Sequence, residues 1–314
     1  LLIDDWTGEA TAQGDHLAYI HGIPDFYERF GYRHAFPMDG RDPAAWLDLT
    51  NLSLRGSKPE VRSYQERDLP FLMHLYEEDN YTRSGTLLRS STYWQWLLDG
   101  LERCGSVRHE DIVVAQQGDG QVVGYAMVNP VDQGRFTLWE VAAPGGEAKN
   151  ALLGELARWA QAAGNDRLYM RVPLDHPFAA FCVPLGAQVV GCSDGVYARL
   201  LDAAGLFRAL GPELEARLAR SSLRGWTGTL RLETDIGTVT LPFMGGKLRS
   251  GGKPDPVRTV EVPQSWLARL VTGYNDIAAL SRRRGIVLER DDWPLLRALF
   301  PKGCPYIWAA DSGY

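Results

Sequence analysis

The sequence predicts an α+β chain of three units, and three observations carry that prediction. Short apolar strands alternate with amphipathic helices along most of the 314 residues. A strand–helix–glycine–strand pattern occurs twice, near residue 17 and near residue 168. Late in the chain one hairpin, Thr229–Thr234 and Thr238–Phe243, alternates strictly, with Leu230, Leu232, Val239, Leu241 and Phe243 facing inward around a turn at Asp235-Ile236-Gly237.

The first unit covers residues 1–58. Leu2, Ile3 and Trp6 recur at helical spacing up to Gly14. The chain therefore opens inside a helical pattern, and a fragment of a longer protein is expected. Leu17–Ile20 predicts a strand. Pro24 starts a helix over 25–30, because its missing N–H costs nothing in a first turn. Gly31 stops that helix, Tyr32–Phe36 leaves as a strand, and Trp46–Leu54 predicts another.

The second unit covers residues 59–203. Asp68-Leu69-Pro70 leads a helix with Leu72, Leu75 and Tyr76 on one face, and a second helix carries Tyr93, Trp94, Leu97, Leu98 and Leu101. A hairpin follows, 111–116 and 122–128, turned at Gly118-Asp119-Gly120. Phe136–Val141 predicts a strand, and 147–163 a helix with Leu152, Leu153, Leu156 and Trp159 inward. Strands over 168–172 and 188–190 flank a short helix from Pro177 to Val183. The third unit, 204–314, holds a helix over 206–220, the alternating hairpin, a helix with Trp266, Leu267, Leu270 and Val271, a helix from Asp291 to Phe300, and a last strand at Tyr306–Trp308.

The repeat joins the first two units. Gly14-Asp15-His16-Leu17 matches Asn165-Asp166-Arg167-Leu168, and the stretch from Phe26 to Tyr32 matches that from Phe181 to Ala187. By this comparison the first copy lacks a front of roughly 90 residues.

Composition narrows the function. A net charge of −6 argues against a nucleic-acid partner and suits a cationic substrate better than an anionic one. No stretch is apolar for the length of a membrane span. Cys104, Cys182, Cys192 and Cys304 form no C-x-x-C pair and are read as buried thiols of a reducing cytoplasm. His16 and His21 are five apart and share no helix face, so no metal site is expected, and all six histidines are read as structural or surface residues. Gly245-Gly246-Lys247 lacks the first glycine and the Ser/Thr of a phosphate loop.

The run Gly22-Ile23-Pro24-Asp25-Phe26-Tyr27-Glu28-Arg29-Phe30-Gly31-Tyr32 resembles a stretch typical of GNAT acetyltransferases and is especially similar to that of the enhanced-intracellular-survival family. Leu69-Pro70, Leu88-Arg89-Ser90 and Thr234-Asp235-Ile236-Gly237 look like family features too. The resemblance implies the C-terminal part of a catalytic GNAT domain (1–58), a complete GNAT-like domain without cofactor (59–203) and a sterol-carrier-like domain (204–314). It implies acetyl-CoA as co-substrate, a primary amine such as an aminoglycoside as acceptor, no metal, and a homo-oligomer in the cytoplasm.

In that family the acetyl-CoA pyrophosphate lies on N–H groups at a helix start, where exposed donors and the helix dipole hold anions. For the first unit that loop would precede Leu1. The second unit reads Ala142-Ala143-Pro144-Gly145-Gly146-Glu147, with a proline that has no donor and a glutamate where the phosphate charge would sit. Tyr27 matches the family's acid tyrosine, and a phenol with a pKa of about 10 keeps its proton at neutral pH. The matching residue of the second copy is Cys182. The family's base is the C-terminal carboxylate, here that of Tyr314. A packing role for Tyr27 and a frayed end at Tyr314 are the plain alternatives. Asp25 and Glu28 stand beside Tyr27, either to attract an amine or as a solvated helix start. A second reading of the whole is a lipid- or acyl-binding protein using the third unit, which a large apolar pocket there would favour.

Overall fold

Glycine and proline punctuation sets several element ends. A computed structural model describes residues 2–23, 25–37, 45–52, 54, 58–132, 134–173, 175–190 and 195–312. In chain order the helices are α1 (Leu2–Ala12), α2 (Leu69–Asn80), α3 (Ser91–Arg103), α4 (Gly146–Ala162), α5 (Pro177–Cys182), α6 (Ala203–Ala209), α7 (Gly211–Arg220), α8 (Gln264–Val271), α9 (Ile277–Leu280) and α10 (Trp293–Leu299). The strands are β1 (Leu17–His21), β2 (Arg33–Pro37), β3 (Ala45–Asp48), β4 (Glu60–Ser63), β5 (Ile112–Gln116), β6 (Val122–Asp132), β7 (Arg135–Ala142), β8 (Arg167–Met170), β9 (Gln188–Val189), β10 (Gly195–Leu200), β11 (Gly228–Thr234), β12 (Gly237–Met244), β13 (Lys247–Leu248) and β14 (Val257–Glu261). Together they make an α+β fold divided into two compact units, each assembled from two separated stretches.

Unit 1 combines the chain up to Phe36 with Val196–Pro305. It holds a three-stranded sheet, β1-β10-β2, and a four-stranded one, β13-β12-β11-β14. The strict alternation of the late hairpin does what it predicts: Leu230, Leu232, Val239, Leu241 and Phe243 are all buried. β14 then runs parallel to β11.

Unit 2 combines Pro37–Gly195 with the chain from Tyr306 onward. Its seven strands run in the order β4-β5-β6-β7-β8-β3-β9. The pairings are antiparallel except β7 with β8. The apolar stripe of α3 is fully used, with Trp94, Leu97, Leu98 and Leu101 buried, each stabilising by on the order of 2 kcal/mol. Ser90 caps this helix by accepting the Tyr93 N–H at 3.1 Å.

The repeat seen in sequence is also a repeat in register. β1 pairs with β10 so that Leu17 meets Leu200 and Tyr19 meets Ala198. β8 pairs with β3 so that Leu168 meets Leu47 and Met170 meets Ala45. Each copy therefore gives its last strand to the other copy's sheet: β3 lies between β8 and β9, and β10 lies between β1 and β2. The turns match too. Gly31 and Gly186 both take positive φ, 80° and 99°. The Tyr32 N–H donates to the Tyr27 carbonyl at 3.3 Å, and the Ala187 N–H to the Cys182 carbonyl at 3.1 Å.

Several expectations need correction. The helix that follows Pro24, itself outside the described residues, is only a 3-10 turn, Tyr27–Phe30, because Asp25 sits at φ 63° and cannot open a right-handed turn. β3 stops at Asp48 rather than Leu54, where the Asp48 carboxylate accepts the Thr50 N–H at 2.9 Å and bends the chain. The helix expected over 206–220 is two, broken at Gly211-Pro212. Tyr306–Trp308 is buried but joins no sheet. α1 buries Thr7 and Ala10, whereas Leu2 and Trp6 are 87% and 47% exposed. Cys104 and Cys304 are exposed and only Cys182 is buried, Cys192 lying outside the described residues.

Candidate functional site

Tyr27 stands half-buried on the turn between β1 and β2. Four contacts hold that turn. The Gly31 N–H donates to the Glu28 carbonyl at 3.0 Å, and Arg199 of β10 donates to the Phe30 carbonyl at 3.0 Å. The buried Gln264 side chain donates to the Gly31 carbonyl at 2.6 Å while its oxygen accepts the Leu200 N–H at 2.8 Å. The Gln264 N–H in turn donates to Asp235 of the late hairpin at 2.6 Å. Gln264 was not singled out by sequence, because a glutamine opening an amphipathic helix carries no motif.

The Tyr27 ring sits among aromatics: Phe26 at 4.9 Å edge-on, Tyr32 at 6.4 Å and Tyr197 at 6.5 Å between centroids. His34 stacks 5.7 Å from Tyr197, and its Nδ1 lies 3.1 Å from the Tyr274 hydroxyl. The Tyr32 hydroxyl is buried with no hydrogen-bond partner among the described residues. Tyr197 lies flat against Gly22, where a Cβ would meet its ring at 2.0 Å. Burial lowers the pKa of His21, the last residue of β1, which favours its neutral form.

Charge beside this turn is mostly positive. Arg33, Arg269 and Arg283 all lie over the Trp266 ring, at 4.0, 5.1 and 5.3 Å. Burial lowers the Arg269 pKa, and the Arg33 and Arg283 charges push the same way. Glu28 faces Arg33 at 3.8 Å, so this carboxylate is partly neutralised and is not an open lure for an amine. Asp25 is exposed.

Unit 2 carries the other titratable cluster. Arg89 donates to both oxygens of Glu140 (Nη1 at 2.9 Å, Nη2 at 2.6 Å) and to both oxygens of Asp311 (Nε and Nη2, each at 2.9 Å). Tyr125 donates to Glu140 at 2.8 Å, and the Tyr93 and Tyr76 hydroxyls lie 3.3 and 3.4 Å from Asp311. Burial opposes the Arg89 charge, but Glu140 and then Asp311 outweigh it and raise its pKa well above the ordinary value. Burial raises the Asp311 pKa, with Arg89 pulling the other way without cancelling it. Glu140 interrupts an apolar strand, Phe136–Val141, and Arg89 stands in the Leu88-Arg89-Ser90 run; Asp311 carried no signal in the sequence.

The start of α4 carries Glu147 in its first turn. Gly145 caps it with no side-chain hydrogen bond, and Lys149 Nζ reaches back to the Pro144 carbonyl at 3.2 Å. Behind it, a Cβ on Gly124 would meet Ala143 at 3.1 Å and Leu152 at 3.2 Å, so strand and helix are packed in contact. Cys182, at the position equivalent to Tyr27, is sealed in the core, and burial pushes its thiol pKa up to about 12. Among the described residues no group of three or more His, Cys, Asp or Glu could hold a metal, and no helix is long and apolar enough to cross a membrane. The late hairpin and α6–α7 border an open cleft of about 580 Å³, with Phe207, Val239 and Leu248 beside Arg208, Glu215 and Arg249. Tyr314 lies outside the described residues.

Solved structures described as N-acyltransferases share this fold. A conserved protein of Enterococcus faecalis V583, described as a probable N-acyltransferase, matches with a TM-score of 0.71 at 16% identity, over 98% of this chain and 75% of its own. A GCN5-related N-acetyltransferase from Anabaena variabilis matches with 0.68 at 16% identity, over 98% and 76%. Eis1 from Mycobacterium abscessus matches with 0.63 at 18% identity, over 98% and 77%. No family model matches the sequence, and no curated protein does.

Proposed function

We propose that this chain belongs to an N-acetyltransferase of the enhanced-intracellular-survival type, which moves an acetyl group from acetyl-CoA to a primary amine. The observation that carries the reading is the asymmetry between equivalent positions. In a fold shared with N-acyltransferase structures, one copy of the turn presents a half-buried phenol, Tyr27, and the other a sealed thiol, Cys182. Residues 1–58 then end a catalytic GNAT domain, 59–203 form a GNAT-like domain without cofactor, and 204–314 form a sterol-carrier-like domain. The protein works in the cytoplasm as a homo-oligomer.

Bound acetyl-CoA supplies an activated thioester. The amine nitrogen bonds to the acetyl carbon, the C–S bond breaks, and Tyr27 gives its proton to the departing sulfur. The amine's proton passes to the α-carboxylate of Tyr314, directly or through water. The exposed Leu2, Trp6, Tyr19, Ile23 and Phe26 leave apolar surface in unit 1 that supports a partner segment there. The test is CoA release from acetyl-CoA with a panel of aminoglycosides, polyamines and lysine peptides, using the gene's full product. Release that depends on the amine supports the reading; tight acetyl-CoA binding with no release for any amine overturns it.

The cleft beside α6–α7 gives the lipid- or acyl-binding alternative a specific observation. Its arginines and glutamate suit an amphiphile with a charged head better than a sterol. Saturable displacement of a fluorescent fatty acid would favour that reading.

A further inference from the structure

The buried charge cluster of unit 2 has one member that comes from far along the chain. Arg89, Glu140, Tyr76, Tyr93 and Tyr125 belong to the α2–β7 stretch, while Asp311 arrives with the C-terminal stretch. That stretch makes no ladder, yet Tyr306, Ile307, Trp308, Ala309 and Ala310 are all buried. It is tied down at three points. The Tyr306 N–H donates to the Ser84 carbonyl at 2.8 Å, the Trp308 indole N–H donates to Asn80 at 2.9 Å, and Asp311 receives Arg89.

We propose that Arg89, shaped by Glu140, is a carboxylate receptor that locks the C-terminal stretch onto unit 2 through Asp311. A guanidinium has two edges that each match a carboxylate. Glu140, itself held by Tyr125, occupies one edge. Tyr76 and Trp94 cover the planar faces at 3.9 and 4.5 Å. The remaining edge, Nε and Nη2, is fixed in direction by these contacts before Asp311 is considered. The Arg89–Glu140 pair is already neutral. Asp311 is therefore the second carboxylate on one cation, the member held least tightly, which makes the contact a latch that opens rather than a cornerstone. Its importance for acetyl transfer rests on the function proposed above, where a base follows Asp311 in sequence; the latch itself does not.

The test is hydrogen exchange at the backbone amides of residues 308–311. Asp311→Gly should speed exchange there by roughly tenfold or more, and about 0.1 M sodium acetate should restore much of the protection by refilling the vacated edge, where sodium chloride at equal ionic strength should not. Asp311→Asn, which sets an amide NH2 against the guanidinium donors, should also exchange faster but gain nothing from acetate. Parent-like protection in both variants, or equal rescue by acetate and chloride, overturns the latch and leaves apolar packing of Trp308 as the anchor. On the active full protein, Asp311→Asn should lower kcat with the KM for acetyl-CoA unchanged. A parent protein with no activity would end the acetyltransferase reading while the exchange result still decides the latch.

Discussion

The two copies of the strand–turn–strand repeat share a backbone and differ in what surrounds it. In the copy from 167 to 189, β8 is flanked by β7 and β3, and the turn residue Cys182 is sealed. In the copy from 17 to 37, β1 is paired on one side only among the described residues, and Tyr19, Ile23 and Phe26 are 42%, 62% and 37% exposed. Register and turn geometry need only the short apolar strands and a glycine that accepts positive φ. Chemistry needs a reactive group left at a surface. One copy has a packed turn and the other a half-buried phenol, so the shared backbone does not by itself assign chemistry to either half.

The comparison can be broken or sharpened by mutation. The largest effect should come from the packed half: Arg89→Met leaves Glu140 and Asp311 buried without a cation and should cost about 3–5 kcal/mol in denaturant unfolding of unit 2. A loss below about 1 kcal/mol would show that this half does not depend on its charge cluster. Next, under the proposed acetyl transfer Tyr27→Phe should lower turnover by about 10²-fold, whereas Cys182→Ala should leave it unchanged. Equal effects, or none, would erase the chemical difference between the copies.

A smaller effect follows from Asp311, which faces Arg89, Tyr93, Tyr76 and Glu140. Its folded pKa is raised above 3.8, so its protonated form is favoured in the folded state. The stability this contributes is complete below the unfolded value and is lost as pH rises through the folded one. Denaturant stability should therefore decline as pH rises from 3.8 through the raised value in the parent and stay flat in Asp311→Asn. The smallest difference separates the two glycines. Both sit at positive φ, which costs an alanine about 1 kcal/mol. Gly186→Ala adds a methyl in open space, while at Gly31 the new Cβ would lie 2.9 Å from the Gln264 amide. Thermal unfolding should show Gly31→Ala as the more destabilising by about 1 kcal/mol.

Period and punctuation made much of this legible in sequence. The α3 stripe, the late hairpin and the Leu17/Leu168 repeat follow from apolar spacing, and the Gly31 and Gly186 turns follow from glycine placement. What stayed hidden depends on distant partners. β10 reads as an ordinary short apolar run, and nothing in it says that it pairs with β1 and not with its neighbour β9. The Tyr306–Trp308 run has strand composition but spends its hydrogen bonds on Ser84 and Asn80. At the candidate site the motif marked Tyr27, while Gln264, which holds its turn, and Glu140 with Asp311 carried no spacing of their own.

The exchange of β3 and β10 also constrains how the molecule comes into being. Leu17 meets a partner roughly 180 residues later and Leu47 one roughly 120 residues later. On a ribosome β1 and β2 wait for β10, and β3 waits for β8, before their sheets can close, and a clone cut between residues 49 and 194 deprives both ends of a strand they need. The two repeats therefore fold, and fail to fold, together.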